Sequence, residues 1–207
     1  LENSAVETEL ALARVDQLMS LACIVIAIWF STIRPSLGLP LAGLCVVMFL
    51  VASGTATLLQ RGRLAGIAAN GLPLVEMTLP GIALLTMAIA ESPAYALASW
   101  VPPQMFFLFI AMNIFRLRPW LPVVIGALGA VEFLAIYGWF IYPQVQGDGV
   151  LIHRLDVQIV RAGSLLIVGV AAALAILALR RMIEGANAEV RSSELFGKYR
   201  MLEKVGI

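Results

Sequence analysis

The chain has 207 residues, of which 61% are hydrophobic and 13% are charged, and its formal net charge is +1 at pH 7. A soluble domain carries about 25% charged residues, so this composition, with a mean hydropathy of +0.94, excludes a water-soluble globular protein and indicates an integral membrane protein. No basic surface is available to replace phosphate counterions, and a nucleic-acid partner is therefore not expected.

The chain opens with a polar segment, residues 1–14, that is acidic at Glu2, Glu7 and Glu9. A signal peptide would open with a basic region, so we interpret this segment as a cytoplasmic N-terminus. A helix needs about 20 apolar residues to cross about 30 Å of hydrocarbon. Six stretches satisfy this requirement: 15–33, 40–60, 68–90, 98–115, 119–142 and 157–180. The predicted fold class is all-α, a polytopic membrane bundle of six transmembrane helices over residues 15–181.

Prolines mark the irregular points of these spans. Pro119 lies near the first position of the fifth span, where proline is tolerated. Pro80 inside the third span and Pro102–Pro103 early in the fourth are expected to kink or to start those helices. The fourth span is the shortest of the six.

Arginines are distributed unevenly between the two sides of the predicted bundle. Positive charge is retained on the cytoplasmic side of a membrane. The arginines on one side are Arg61, Arg63, Arg116, Arg118, Arg180 and Arg181, and those on the other are Arg34 and Arg154. This asymmetry predicts a multi-pass protein of the cell (inner) membrane with both termini in the cytoplasm. The connections are short, the longest being 143–156, so we expect no extracytoplasmic domain.

Three ionisable residues fall inside the predicted spans away from their ends: Glu76, Glu132 and Arg161. Charges at this depth are costly and by default mark functional sites. From a rise of about 1.5 Å per residue, Glu132 and Arg161 come close enough in depth to pair, whereas Glu76 lies too far towards the inner side. The alternatives to a ligand- or ion-responsive site are a locked helix–helix pair and an arginine that snorkels outward alone.

The residues that bind cofactors in other membrane proteins are scarce. His153, the only histidine, is predicted to be solvated in an outer turn, with pH sensing as the alternative. One histidine without a neighbouring ligand cluster provides neither a bis-histidine haem site nor a zinc site. The only lysines, Lys198 and Lys204, lie outside the spans, which argues against a retinal Schiff base. Cys23 and Cys45 lie in apolar runs and are expected to be free, buried thiols.

Small residues recur at four-residue spacing, Gly126 with Ala130 and Gly169 with Ala173. This spacing lets helices approach closely in lipid, either within the bundle or at a homodimer face. Aromatic residues near the span ends are expected to form an interfacial belt: Trp100, Trp120, Tyr137, Trp139 and Tyr142. A transporter would be expected to show an internal repeat, and none is clear between residues 1–97 and 98–180.

The sequence becomes polar after Arg181. Residues 182–196 are predicted to extend the sixth span as a cytoplasmic linker helix, softened at Gly185 and broken near Ser192–Ser193. Residues 197–207 then alternate as a strand would, ending in Val205 and Gly206. Because the chain begins at Leu1 and stops within this pattern, we expect both ends to be boundaries of a longer protein.

The pattern Gly197, Tyr199, Val205, Gly206 resembles the opening of the bacterial eukaryotic-like (Hanks-type) Ser/Thr protein kinases. The resemblance implies a membrane region truncated at the start of a kinase domain, with Val205 and Gly206 at positions near ATP. It also implies ATP and magnesium as cofactors of the missing domain. No catalytic residue and no metal ligand of that family lies within residues 1–207.

The expected function is a membrane-anchoring and sensory or dimerisation domain of a receptor-like Ser/Thr kinase. Its expected partners are the lipid bilayer, a second copy of the chain and a lipophilic ligand. The alternatives are the membrane domain of a class III adenylyl cyclase and a small transporter or channel.

Overall fold

The computed structural model describes the backbone of residues 2–61 and 65–205, and the side chains of residue 7 and of residues 9–61 and 71–186. Within these ranges the chain is helical between short connections and contains no strand. The helices are α1 (Glu2–Ser31), α2 (Pro35–Gln60), α3 (Ala65–Glu76), α4 (Thr78–Ala90), α5 (Pro93–Ala98), α6 (Val101–Met112), α7 (Trp120–Ile136), α8 (Tyr142–Val145) and α9 (Leu155–Val205). Short 3-10 turns follow α6 at Asn113–Arg116 and precede α9 at Leu151–His153, and a π-helical turn at Tyr137–Ile141 joins α7 to α8.

Five helical stretches of the described chain are long and apolar enough to cross a membrane: Glu9–Ser31, Pro35–Gln60, Gly71–Ala90, Trp120–Val145 and Leu155–Ala186. Large apolar side chains cover the outside of the bundle, among them Leu18, Trp29, Val131, Val160 and Ile167. An apolar outer surface of this extent is not stable in water. The chain is therefore an all-helical, multi-pass membrane protein, as its composition predicts.

The fourth predicted span, 98–115, is not among these five stretches. Helix α6 has 12 residues and its 3-10 extension has 4, whereas a span needs about 20. Pro102 and Pro103 account for the late start, because proline has no N–H and fits only the first turn of a helix. Six spans are thus not confirmed by helix length. Helix α6 instead packs against α4, α7 and α9.

The predicted irregularity at Pro80 is present as a break between α3 and α4 at Met77. A proline cannot donate to the carbonyl four residues earlier, which here belongs to Glu76. Thr78 Oγ1 donates to Val75 O at 2.8 Å beside the break. The break consequently places Glu76 at an interrupted point of the helical ladder.

Helices α7 and α9 pack antiparallel through the predicted small residues. A Cβ atom on Gly126 would lie 2.7 Å from Leu165 O, and one on Gly169 would lie 2.5 Å from Pro122 O. Both distances are too short for any side chain, so glycine is required for this backbone approach. The predicted small-residue surface therefore packs α7 against α9 within the bundle.

The strand predicted for the tail is not observed, because α9 continues as helix through residues 182–196 and 197–205 to Val205. A strand needs a neighbour to satisfy its backbone groups, and the described residues offer none. Extending an existing helix adds one hydrogen bond per residue without a new nucleation step, and Arg, Met, Leu, Glu and Lys favour it. Neither Gly185 nor the serines at 192–193 interrupt α9.

Candidate functional site

Three carboxyl groups surround one guanidinium in the interior of the bundle. Arg116 Nε donates to Glu9 Oε2 at 3.1 Å, while Arg116 Nη1 lies 3.7 Å from Glu76 Oε2. Arg116 Nη1 also donates to Asn113 Oδ1 at 2.7 Å. The Asp16 carboxyl group lies close to Glu76 and Arg116. All five residues are buried, and we call this group the acidic cluster.

The local structure explains how these five residues meet. Glu9 and Asp16 are seven residues apart, which places both on one face of α1. Glu76 ends α3 at the proline-induced break. Asn113 and Arg116 belong to the 3-10 turn after α6, where Asn113 Nδ2 also donates to Phe109 O at 2.7 Å. The acidic cluster therefore connects the first half of α1, the end of α3 and the 3-10 turn after α6.

The chemistry of the acidic cluster follows from its unequal charges. The cluster has three carboxyl groups and one guanidinium. Arg116 can compensate the charge of one carboxylate, and its closest carboxylate oxygen belongs to Glu9. Within the described side chains no group of three or more His, Cys, Asp or Glu residues has the geometry of a metal site.

Glu132 lies on α7 and turns its carboxyl group towards α4. Its carboxyl group packs directly against Gly81, at a position that a Cβ atom on Gly81 would occupy. The Oε2 atom is buried and has no hydrogen-bond partner. Glu132 thus sits alone between two helices, which suits a neutral carboxyl group better than a charged one.

Arg161 lies on α9 and reaches the end of α5. Its Nη1 donates to Leu97 O at 2.9 Å, a carbonyl at the end of α5 that the helix leaves without an intrahelical partner. The predicted Glu132–Arg161 pair is wrong, since none of the ion pairs formed by the described side chains joins them. Depth permits the pair, and the rotational positions of the two residues prevent it.

A cavity of 320 Å³ lies beside Arg161 between α5, α6, α7 and α9. Its walls are mainly aromatic and apolar: Ala98, Ser99, Trp100, Pro103, Phe106, Phe107, Phe133, Ile152, Ser164 and Leu165. We call it the arginine cavity. Arg161 is the one charged residue in its lining.

The turn between α8 and α9 buries His153, contrary to the predicted solvated position. Its Nδ1 contacts Asp148 Oδ2, and its carbonyl accepts a hydrogen bond from Tyr137 Oη at 2.7 Å. The π-helical turn aims Tyr137 inwards, so this residue is fully buried rather than part of an interfacial belt. The N–H of Val150 donates to Asp148 at 2.9 Å, and this bond with the His153 contact lowers the pKa of Asp148.

Comparisons with family models, curated proteins and solved structures found no match. The function is consequently inferred from the geometry of the chain itself. Of the two residues expected near ATP, Val205 is the last residue of α9, and its side chain lies outside the described residues, as does all of Gly206.

The acidic cluster contains four residues that the sequence reasoning missed as site residues: Glu9, Asp16, Asn113 and Arg116. Glu9 lies in the predicted cytoplasmic N-terminal segment, Asp16 at the start of the first predicted span, and Arg116 on the predicted cytoplasmic side. One signal was available: Glu9, Asp16 and Ser20 fall on a single stripe of α1 by helical periodicity. The structure buries all three.

Proposed function

We propose that this chain is the membrane-anchoring and sensory domain of a receptor-like signalling enzyme, with α9 as its output element. The observation that carries the proposal is the continuity of α9 over 51 residues from Leu155 to Val205. At about 1.5 Å per residue such a helix is about 75 Å long. The stretch able to span a membrane ends at Ala186, so the helix continues well beyond it.

The contacts of α9 with the bundle support a mechanical output. Gly169 packs backbone to backbone on α7, and Arg161 is tied to the end of α5. A rearrangement of either neighbour would be carried along a stiff helix as rotation or sliding. Loops in place of α9 would absorb the same displacement.

A Ser/Thr protein kinase is the proposed enzyme that α9 serves, on the resemblance of Gly197 to Gly206 to that family. The kinase domain would bind ATP and magnesium and transfer the γ-phosphate to a hydroxyl group. The membrane region of a class III adenylyl cyclase is the second candidate. The helical course of residues 197–205 favours it, because a cyclase transducer is helical and a kinase would need a strand there.

Six crossings and two cytoplasmic termini are also proposed. At one end of the bundle Glu9 meets Arg116, and at the other Arg34 Nη1 binds Glu91 Oε2 at 2.9 Å. Helix α6 and its 3-10 turn lead from beside Leu97, the partner of Arg161, to Arg116. This path rises about 26 Å, close to the hydrocarbon thickness of about 30 Å, and local thinning of the bilayer can supply the difference.

Homodimerisation is also part of the proposal, but through a different surface from the predicted small-residue face. Gly126 and Gly169 are used inside the bundle, so a second copy would contact the outer apolar surface instead. Small residues with free space above them, such as Gly54 and Gly163, lie on that surface.

Cysteine accessibility tests the topology. Cys23 and Cys45 are first replaced by alanine, and single cysteines are introduced by Asn3→Cys, Gln146→Cys and Ser192→Cys. In intact cells an impermeant maleimide is expected to label only the variant with a cysteine at position 146. In permeabilised cells it is expected to label all three variants. Labelling of one terminus alone in intact cells would establish an odd number of crossings and refute the proposal.

The output is tested in membranes that contain the full-length parent protein. Phosphate transfer from ATP to protein supports the kinase, and cyclic AMP formation supports the cyclase; the absence of both refutes the proposed class. Insertion of two alanines after Gly185 turns the following helix by about 200°, whereas four alanines turn it by about 40°. Helical transmission predicts a large change of activity for two and a smaller one for four.

A further inference from the structure

The arginine cavity has the dimensions and the walls of a ligand site. Its volume of 320 Å³ falls within the range of about 300–1,000 Å³ typical of small-molecule sites. Phe106 and Phe133 form a rigid edge-to-face pair in its wall, with ring centroids 6.4 Å apart and an interplanar angle of 85°. Trp100 also lines the cavity and is 78% exposed, so the cavity is accessible from outside the bundle.

Arg161 brings a positive charge into this apolar wall without an internal counter-anion. Among the described residues, its guanidinium donates only to the neutral carbonyl of Leu97. None of the described carboxylates forms an ion pair with it. A charge in a membrane interior is stabilised by pairing, and an anion in the cavity would provide that pairing.

The free edge of Arg161 fits a carboxylate. Arg154, on the same side of the protein, binds Asp156 through Nε at 3.1 Å and through Nη2 at 2.7 Å. In Arg161 the bond to Leu97 uses Nη1, which leaves the Nε–Nη2 edge without a partner among the described residues. This edge is a planar fork that matches the two oxygens of a carboxylate.

We propose that the arginine cavity binds a single-chain amphiphile that has a carboxylate headgroup, that is, a free fatty acid. The carboxylate takes the Nε–Nη2 edge of Arg161, and the acyl chain lies along the aromatic wall. Ser164 and Leu165 of α9 line the same cavity, so a ligand in the cavity contacts the output helix directly. The role of the fatty acid as a signal rests on the sensory function proposed above, whereas its binding to the cavity does not.

Binding is measured with the full chain in phosphatidylcholine nanodiscs and a fluorescent polyene fatty acid, by energy transfer from tryptophan. We expect saturable binding that the unlabelled acid displaces. Arg161→Gln is expected to weaken binding about 10- to 100-fold, the loss typical of a charge-assisted hydrogen-bond pair. Arg161→Lys, which retains charge but loses the fork, is expected to be intermediate. Arg154→Gln is the matched control and is expected to bind normally.

A second variant guards against a folding defect in the arginine substitutions. Ala98→Trp fills the cavity and leaves Arg161 in place, so it is expected to abolish binding while the helical circular dichroism is unchanged. Equal affinity for the fatty acid and its methyl ester, or full binding by Arg161→Gln, would overturn the proposal. Displacement by phosphatidylglycerol in the disc, with the free acid inactive, would assign the site to a phospholipid and also overturn it.

The binding and activity measurements together distinguish a wrong ligand assignment from a wrong output mechanism. If the acid binds to the purified chain but does not alter the activity of the full-length protein, the site stands and the sensory function fails. If helical insertions alter the activity as expected but no acid binds, the output stands and the ligand assignment fails.

Discussion

Glu132 and Arg161 lie within about 3 Å of the same level of the α7–α9 pair, yet they have different neighbours. The close approaches of Pro122 to Gly169 and of Gly126 to Leu165 fix an antiparallel register. In this register Ala130 is level with Arg161, and Glu132 lies two residues further along α7. Glu132 is six residues beyond Gly126, about 240° around α7, and so turns to Gly81 of α4. Arg161 is one turn from Leu165 and turns to the end of α5.

The first prediction concerns this pair. Glu132→Gln and Arg161→Gln are expected to change the free energy of unfolding additively, with a coupling below about 0.5 kcal/mol, because no ion pair joins the two side chains among the described residues. The measurement is a double-mutant cycle of unfolding in mixed micelles. A coupling above about 1 kcal/mol would show that they interact after all.

The second prediction concerns the glycine contact of α7 and α9. Gly169→Ala is expected to cost about 1–3 kcal/mol, because the added methyl group meets the backbone oxygen of Pro122, which cannot move aside. Gly163→Ala is the matched control on the same helix, with nothing within 4 Å of the new methyl group. The control is expected to be neutral or stabilising by up to about 1 kcal/mol. Equal effects of both substitutions on thermal unfolding would refute the packing.

The third prediction concerns the acidic cluster. Arg116→Gln is expected to destabilise the bundle by about 3–5 kcal/mol, because Glu9 would remain buried without its partner. Arg34→Gln removes the outer pair with Glu91, in which the arginine side chain is 52% exposed, and is expected to cost at most about 1 kcal/mol. In addition, Glu9→Gln is expected to recover part of the Arg116→Gln loss. A double variant that is less stable than Arg116→Gln alone would argue against the Glu9–Arg116 contact.

The fourth prediction concerns pH and the outer turn. The pKa of Asp148 is lowered from 3.8 by the Val150 N–H and by His153. A carboxyl group with a lowered folded pKa stabilises the fold above its unfolded pKa, and this contribution is lost as the pH falls through the folded pKa. Stability is therefore expected to decline below about pH 4, with a smaller decline in Asp148→Asn.

Thermal unfolding between pH 6 and pH 3 provides the measurement for this fourth prediction. Asp156→Asn, which removes an exposed carboxylate bound to Arg154, is the control and is expected to retain the decline. An unchanged pH profile in Asp148→Asn would refute the role of Asp148.

Local patterns predicted part of this architecture. The apolar runs identified the five long membrane helices, and Pro80 identified the break at Met77. Alternation at residues 199–205 predicted a strand, but periodicity in so short a segment does not decide between strand and helix. Helix α6 was predicted as a full span because its residues are apolar, whereas Pro102 and the 3-10 turn shorten it.

The sequence by itself determined that this protein is helical and lies in a membrane, because apolar composition and helical hydrogen bonding are properties of each segment alone. Only the tertiary structure decided which polar groups meet. Glu9 and Arg116 are 107 residues apart in the chain, and their contact depends on the rotation of three helical segments about their axes. Helix rotation is set by tertiary packing, as the contact of α7 with α9 at Gly126 and Gly169 illustrates. The partner of each intramembrane charge is therefore a property of the assembled bundle.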